Sequence, residues 1–242
     1  MKGIILAGGS GTRLRPMTLV TSKQLLPIYD RPMIFYPLQT LLNAGIKEVL
    51  IIVAPDRAGD FLRVLGSGKE FGAKFTYEIQ DKPNGLAEAF IIGEDFIDNG
   101  SVTLVLGDNL FVGKEEELNN AITSFTTGGR VFAKEVPDPE RFGVVEFDVN
   151  RSVLSIEEKP KQPRSNHALV GLYVFDNQVV SIAKNLKPSP RGELEITDVH
   201  KAYLERGQLD VRMYTGEWLD TGTPDSLLAA GNMIAERKRA NR

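Results

Sequence analysis

The 242-residue sequence predicts an α/β fold in which a mostly parallel central sheet is flanked by helices. In its first half, short apolar runs alternate with amphipathic segments, which is the pattern of successive βαβ units. The first apolar run leads into a glycine-rich loop, and a later run ends on Gly107-Asp108. Ligands bind beyond the carboxyl ends of the strands in such sheets, so we expect both segments to border one crevice.

The first half predicts alternating strands and helices. Each predicted strand is a short apolar run, and each predicted helix carries apolar residues at helical spacing. In chain order these elements are strand 3–7, helix 33–44, strand 49–54, helix 56–65, strand 74–79, helix 86–97 and strand 102–106. The helices between strands favour parallel neighbours, because parallel strands need a crossover connection.

The second half is richer in strands, which we expect to lie against the first half as the wall of a substrate site. The predicted elements are strands 130–136, 143–148, 153–157 and 169–175, helices 177–186 and 195–206, and strand 210–214. Thr223 followed by Pro224 fits the N-cap and the first position of a final helix. Without a repeat or a linker, residues 1–242 are expected to form a single domain.

The composition is that of an ordinary globular protein, and it excludes several classes of function. The chain has no cysteine, which rules out disulfides and thiolate metal sites. It starts a strand within a few residues, shows no signal-peptide layout and has no apolar run of membrane-spanning length, so we expect a cytoplasmic protein. A net charge of −3 gives no general attraction to nucleic acid. The basic residues Arg237, Lys238, Arg239 and Arg242 are expected to complement the dipole of a helix C-terminus.

The glycine-rich loop at residues 8–23 is the strongest functional signal. Its glycines leave backbone N–H groups open to an anion, and Arg13, Arg15 and Lys23 add positive charge. The loop lacks the Gly-Lys-Ser/Thr of a P-loop, and Pro16 prevents the helix that a dinucleotide fingerprint requires. The three cations favour a polyphosphate site over the alternative, a glycine-rich surface turn.

Two aspartates are candidates for the same crevice. Asp108 follows the strand 102–106, and Asp220 directly precedes Thr221-Gly222. Taken alone, Asp108 is equally well explained as the cap of a following helix. Two carboxylates beside a triphosphate suit Mg²⁺, which prefers hard oxygen ligands and keeps several waters.

The loop 6–32, together with SKQLLP at 22–27 and DRPM at 30–33, resembles the signature of the sugar nucleotidyltransferases, most closely the glucose-1-phosphate thymidylyltransferases. These enzymes condense a nucleoside triphosphate with a sugar 1-phosphate and release pyrophosphate. The resemblance covers nearly the whole chain and implies a Rossmann-like fold of the nucleotide-diphospho-sugar transferase type. It implies that Asp108 and Asp220 hold a catalytic Mg²⁺. It also implies that Arg13 and Lys23 are catalytic, acting on the triphosphate and the leaving pyrophosphate.

The resemblance further assigns the two sides of the site. Residues 1–110 are expected to bind mainly the nucleotide, and residues 111–242 mainly the sugar phosphate. The expected nucleotide-binding residues are Leu6, Gly8, Gly9, Gly11, Thr12, Arg13, Gln80, Pro83 and Gly85. The expected substrate-binding residues are Asp108, Gly143, Glu158, Lys159, Val170, Tyr173 and Arg191.

The implied substrates are dTTP and α-D-glucose 1-phosphate, with dTDP-glucose as product. Gln80 suits both thymine and uracil, so a UTP-dependent enzyme is the nearest alternative, although segment 80–89 is more similar to the thymidylyl pattern. A non-catalytic nucleotide-sugar sensor on the same fold is a third interpretation, which the full set of charged groups disfavours.

Lys159 precedes a proline and, taken alone, is better explained as a solvated surface lysine. The sequence does not rank glucose against its epimers.

The sequence departs from the longer members of the group in two ways. The chain ends shortly after the helix that follows Asp220, so we expect a short form without the additional C-terminal helices. The tetrameric assembly and feedback regulation of the longer members are therefore not carried over to this chain. A homo-oligomer is an expectation, but the number of its subunits is not. Phe142 stands where longer members usually have tyrosine, and we expect little loss from the missing hydroxyl.

His167 and His200 are too isolated for a metal site, and Trp218 is expected to be a core anchor.

Overall fold

A nine-stranded sheet runs through the centre of the computed structural model, which describes residues 1–240. In chain order the strands are β1 (Lys2–Ala7), β2 (Pro27–Ile28), β3 (Arg31–Pro32), β4 (Glu48–Val53), β5 (Lys74–Ile79), β6 (Val102–Leu106), β7 (Asn109–Val112), β8 (Gly129–Glu135), β9 (Gly143–Phe147), β10 (Val153–Glu158), β11 (His167–Phe175), β12 (Leu209–Met213) and β13 (Glu217–Asp220). The helices are α1 (Phe35–Asn43), α2 (Ala58–Leu65), α3 (Glu88–Ile92), α4 (Glu94–Ile97), α5 (Glu115–Thr123), α6 (Gln178–Asn185), α7 (Ile196–Glu205) and α8 (Pro224–Ala240). Helices flank the sheet, and the predicted α/β fold class is confirmed.

Within this sheet, β10 and β11 run against the other seven strands, so the sheet is mostly parallel. The main strand order is β10-β9-β11-β6-β1-β4-β5, while β8 pairs with β11 and β12 pairs with β8. β1 lies between β4 and β6, and all three are parallel. The loops that follow β1 and β6 therefore emerge side by side at one end of the sheet.

Alternate strand residues fill two hydrophobic layers, because successive side chains of a strand point to opposite faces. Ile5 and Ile51 belong to the layer covered by α1, α2 and α5, whereas Ile4 and Leu50 belong to the layer under α3, α6 and α7. All four side chains are fully buried. Burial on both faces explains why these strands are continuous apolar runs in the sequence.

An antiparallel two-stranded ribbon of β7 and β13 lies off the main sheet and supports helix α8. In this ribbon Asn109 lies opposite Asp220. Helix α8 begins at Pro224, and the hydroxyl of Thr223 accepts a hydrogen bond from the backbone N–H of Ser226 at 3.3 Å. The predicted N-cap of the final helix is therefore confirmed.

Some elements differ from the sequence prediction. The helix expected over 86–97 is divided at Gly93 into α3 and α4, because glycine weakens a helix. Helix α5 is not anticipated, since its apolar periodicity is weak, although Glu115, Glu116 and Glu117 in its first turn are a helix-start signal. Strands β7 and β13 are too short to show a clear alternation.

The basic end of α8 is used locally. Arg237 forms an ion pair with Glu115 at 2.8 Å, and Lys238 pairs with Asp30. Arg242 lies outside the described residues. Among residues 1–240, no helix combines the length and the apolar character needed to cross a membrane.

Candidate active site

A cleft of about 490 Å³ opens beyond the carboxyl ends of β1, β5 and β6. Its opposite wall is formed by β11, the start of β9 and the first turns of α7. Most of the residues expected from the sequence line it, namely Leu6, Gly9, Arg13, Lys23, Gln80, Pro83, Gly85, Asp108, Gly143, Glu158, Lys159, Tyr173, Arg191 and Asp220. The fold thus brings candidate residues from both halves of the chain into one cleft.

The side chain of Val170, an expected substrate-binding residue, does not line this cleft. Side chains alternate along β11, so Leu169, Gly171 and Tyr173 face the cleft. Val170 points the other way and is fully buried in the layer under α1. The side chains of β11 that face the cleft therefore include the two immediate neighbours of Val170.

Gly8, Gly11 and Thr12 also lie outside the cleft wall. Gly8 backs onto Gln80, because a Cβ added at Gly8 would lie 2.6 Å from Oε1 of that side chain. The carbonyl of Gly11 accepts a hydrogen bond from the hydroxyl of Thr18 at 2.8 Å. Thr12 is exposed at the start of a short 3₁₀ turn. In this structure these residues shape the loop rather than the cleft surface.

Lys23 and Asp108 form a largely buried ion pair in the cleft. Burial alone would raise the pKa of Asp108, but the Lys23 ammonium outweighs this effect and the pKa is lowered below its usual value. The carboxylate is therefore ionised at neutral pH. An ionised carboxylate in this place is a suitable oxygen ligand for a divalent cation.

The ribbon of β7 and β13 brings Asp220 to the same part of the cleft. Burial and, next in size, the negative charge of Asp108 raise the pKa of Asp220 to about 6. Arg141 lies 3.8 Å from the Asp220 carboxylate. The guanidinium of Arg13 packs against Gly222, where an added Cβ would lie 2.6 Å from it. The two aspartates thus form a repelling pair with cations around it.

The donor set of this pair fits Mg²⁺. Within residues 1–240, no group of three or more His, Cys, Asp or Glu side chains forms a potential metal cage. Magnesium is usually bound by one or two carboxylates together with substrate phosphates. A divalent cation would also relieve the repulsion that raises the pKa of Asp220.

Gln80 is buried at the cleft, at the carboxyl end of β5. Its Nε2 donates to the carboxylate of Glu88 at 2.8 Å and to the carbonyl of Gly85 at 3.4 Å. Both partners only accept, so they fix the orientation of the carboxamide. The amino group of Gln80 is thus already used within the protein.

On the opposite wall, Arg191 is surrounded by carboxylates. It donates to both oxygens of Glu195, at 2.8 and 3.0 Å, and contacts Glu193 at 3.1 Å and Glu158 at 3.6 Å. Hydrogen bonding to Glu195 raises the pKa of Arg191. Burial would raise the pKa of Glu195, but the hydrogen bonds from Arg191 and Ser189 lower it. Arg191 is therefore held in place rather than free on the surface.

Lys159 is fixed at this wall by its backbone. Its φ of +44° lies in the left-handed region, which costs a non-glycine residue about 1–2 kcal/mol. The backbone N–H of Lys159 donates to the carbonyl of Phe142 at 3.0 Å, and its ammonium lies 3.6 Å from Glu158. The backbone of Lys159 is therefore constrained at this wall, while its side chain is 47% exposed.

Several cleft residues were not among the expected ones. They are Gln24, Leu86, Leu106, Asn109, Arg141, Phe142, Leu169, Gly171, Glu193, Glu195, Ile196, Thr197, His200 and Trp218. Leu169 and Gly171 lie on the same face of the strand as Tyr173, and Thr197 lies on the same helix face as His200. Strand alternation and helical spacing could therefore have predicted these neighbours. His200 is fully buried, and burial lowers its pKa to about 3, so the ring is uncharged.

Comparison with known proteins shows which family the chain belongs to. The family model described as nucleotidyl transferase matches residues 2–237. A glucose-1-phosphate thymidylyltransferase of Neisseria gonorrhoeae is 56% identical over 238 residues, covering 97% of this chain and 82% of the relative. The enzyme of the same name from Mycobacterium tuberculosis strain H37Rv is 51% identical over 243 residues, covering 99% of this chain and 84% of the relative.

Solved structures agree with the fold. A Bacillus anthracis protein described as a glucose-1-phosphate thymidylyltransferase, crystallised with sucrose, superposes with a TM-score of 0.90 at 46% identity, covering 96% of this chain and 94% of that one. A UDP-glucose pyrophosphorylase bound to UDP-glucose superposes with a TM-score of 0.86 at 23% identity, covering 98% of each chain, and this likeness concerns the fold alone. From the cleft, the match over residues 2–237 and these relatives, we conclude that the chain belongs to the nucleotidyl transferase family.

Proposed function

We propose that this protein is an enzyme that transfers a deoxythymidylyl group from dTTP to α-D-glucose 1-phosphate, giving dTDP-glucose and pyrophosphate. The observation that carries the proposal is one cleft with a carboxylate pair and two separate groups of cations. Arg13 and Lys23 accompany Asp108 and Asp220, while Lys159 and Arg191 lie on the other wall. The name shared by relatives at 51–56% identity supports the choice of substrates.

In the proposed reaction an oxygen of the sugar phosphate attacks the α-phosphorus of dTTP. A new bond forms between that oxygen and the α-phosphorus. The bond between the α-phosphorus and the oxygen that bridges the α- and β-phosphates breaks, and pyrophosphate leaves with the electron pair of that bond. The attacking phosphate is already ionised near neutral pH, so no general base is required. The protein has to align both phosphates and neutralise the charge that moves between them.

The charged side chains divide this work. Arg13 and Lys23 would neutralise the triphosphate and the leaving pyrophosphate, and Lys159 and Arg191 would fix the sugar phosphate. Asp108 and Asp220 would hold Mg²⁺, which supplies further charge neutralisation on the phosphates. We accordingly assign nucleotide binding mainly to residues 1–110 and sugar-phosphate binding, with the second metal ligand, mainly to residues 111–242.

The choice of nucleotide depends on a small difference. The bound orientation of Gln80 leaves its oxygen free to accept from the N3–H that thymine and uracil share. The two bases then differ for the protein by one methyl group, worth about 1 kcal/mol or roughly fivefold in a pocket, and UTP also carries a ribose 2′-hydroxyl that dTTP lacks. We therefore expect a preference for dTTP with UTP as the second substrate.

The test is pyrophosphate release from the purified protein with Mg²⁺ and glucose 1-phosphate, comparing dTTP, UTP, CTP, ATP and GTP at equal concentrations. Highest turnover with dTTP and lower turnover with UTP supports the proposal. Highest turnover with UTP makes the protein a uridylyltransferase. Nucleotide binding without turnover on any sugar 1-phosphate would contradict an enzymatic role and favour a sensor.

A further inference from the structure

Asn109 joins three strands around the carboxylate pair. It follows Asp108 directly, is 2% exposed and lies opposite Asp220 in the ribbon. Its Oδ1 accepts hydrogen bonds from Nε1 of Trp218 at 2.7 Å and from the backbone N–H of Gly171 at 3.1 Å. Its Nδ2 donates to Oδ1 of Asp108 at 3.1 Å. One buried carboxamide thus connects β7, β13 and β11.

The chemistry of its partners fixes the orientation of this carboxamide. The indole N–H of Trp218 and the backbone N–H of Gly171 can only donate, so they require the oxygen of Asn109. The amino group must then face the carboxylate of Asp108, which only accepts when ionised. Turning the amide over would replace all three hydrogen bonds by mismatched pairs. Asn109 is therefore an oriented donor, aimed at one oxygen of Asp108.

Other contacts complete the restraint on Asp108. Lys23 binds the other carboxylate oxygen. The hydroxyl and the backbone N–H of Thr221 donate to the carbonyl of Asp108, at 2.7 and 3.0 Å. A Cβ at Gly171 would collide with the carboxamide of Asn109, so the glycine leaves the space that Asn109 occupies.

We propose that Asn109 is a positioning residue that sets the carboxylate of Asp108 for metal binding, and that Trp218 holds Asn109 in this role. The inference rests on the proposed function, in which Asp108 and Asp220 hold the metal. A carboxylate that is already oriented does not have to be ordered when the cation arrives. Groups that orient metal ligands typically change metal affinity or activity by about 10- to 100-fold when removed.

The experiment is a titration of the protein with Mn²⁺ alone, in which electron paramagnetic resonance measures the free ion. Asn109→Ala should weaken Mn²⁺ binding by about 10-fold, and Trp218→Phe by about threefold, since the latter removes one of the two donors that orient the amide. The double variant should bind no more weakly than Asn109→Ala, because Trp218 acts through Asn109. Asn120→Ala, at an exposed position on α5, is the matched control and should bind like the wild type.

Kinetics separate positioning from general damage. In Asn109→Ala the Mg²⁺ concentration for half-maximal rate should rise by about 10-fold, and saturating Mg²⁺ should restore most of kcat, because Asp108 itself remains. Trp218→Phe keeps an aromatic ring against Phe142, whose ring centroid is 4.9 Å away, so this variant stays informative if Asn109→Ala does not fold.

Three results would overturn the inference. Wild-type Mn²⁺ affinity in both single variants shows that Asn109 does not position the ligand. Additive losses in the double variant show that Trp218 does not act through it. A wild-type protein that binds no Mn²⁺ and forms no nucleotide sugar removes the proposed function as well, and this outcome is recognised because the wild type itself fails.

Discussion

The two sides of the cleft hold their cations in different ways. On the nucleotide side, Arg13 and Lys23 come from one loop after β1, and the carboxylates beside them are the proposed metal ligands. On the sugar side, Lys159 and Arg191 come from separate segments, and Glu195 is the closest carboxylate to Arg191. On the first side two carboxylates therefore repel each other with cations around them, whereas on the second side each cation lies against carboxylates of the protein itself.

The two arrangements indicate where each substitution should act. Two carboxylates that repel each other are suited to binding a divalent cation, so substitution of either carboxylate should reduce turnover. A cation held by its own carboxylates is preorganised for a phosphate, so changes there should reduce affinity. Substitutions on each side of the cleft test this separation.

The largest effect is expected for Asp108→Asn. The variant keeps the shape of the side chain but loses the ionised ligand beside Lys23, and kcat should fall by about 1,000-fold. The measurement is pyrophosphate release at saturating substrates, with thermal unfolding to show that the fold is retained. Asp95→Asn, at an exposed position, is the control. Substantial Mg²⁺-dependent turnover by Asp108→Asn would refute the metal role.

A smaller effect on affinity is expected for Arg191→Met. The loss of one charge-assisted contact to phosphate is worth about 2 kcal/mol, so the KM for glucose 1-phosphate should rise roughly 30-fold. The KM for dTTP should stay within about twofold of the wild type, since Arg191 lies on the other wall. Arg63→Met, with a side chain that is 82% exposed in the wild type, serves as the control. Equal increases in both KM values would break the separation of the two sides.

The third effect concerns stability and follows from the raised pKa of Asp220, about 6 against 3.8 for an ordinary aspartate. A carboxyl with a raised folded-state pKa favours folding when protonated, and this contribution is lost as the pH rises through 6. In metal-free protein, Asp220→Asn should therefore increase the free energy of unfolding at pH 8 by about 1–2 kcal/mol. The gain should shrink as the pH falls towards 4.

Urea unfolding of wild type and Asp220→Asn in the presence of EDTA checks this at pH 5 and pH 8. A variant that is equally or less stable than the wild type at pH 8 would show that the ionised carboxylate of Asp220 does not destabilise the fold. The same variant should lose activity, so stability and turnover are expected to move in opposite directions.

The smallest effect is expected for Phe142→Tyr. The ring of Phe142 packs edge to face on Trp218, and its carbonyl holds the backbone of Lys159. An added hydroxyl changes neither contact, so the kinetic constants should move by less than about threefold. Steady-state kinetics with both substrates is sufficient to check this. A larger change confined to the sugar-phosphate KM would assign the tyrosine hydroxyl of longer relatives a part in binding.

Local patterns made much of this architecture predictable. The alternation of apolar runs and helices gave the fold class, and the motif at residues 8–23 marked a loop that borders the cleft, because its glycines and cations are close in the sequence. The N-cap at Thr223 was readable for the same reason. Each of these features depends on neighbours within a few positions.

Individual side-chain contacts between distant segments were less predictable than the crevice itself. β11 is apolar on both faces, so the sequence contains no alternation to show that Leu169 rather than Val170 faces the cleft. The link from Asn109 to Trp218 joins residues 109 positions apart. Side chains that act by holding other side chains leave no periodic or compositional signal, and only the fold reveals them.

Trp218 is the only tryptophan in the chain and is 9% exposed at the cleft. Its indole N–H is bonded to Asn109, and its ring lies against Phe142. Tryptophan emission from the intact enzyme therefore originates entirely at the site where metal and substrates are proposed to bind. Excitation near 295 nm should report the occupancy of the cleft without any added label, which makes the native protein its own optical sensor for ligand titrations and inhibitor screening.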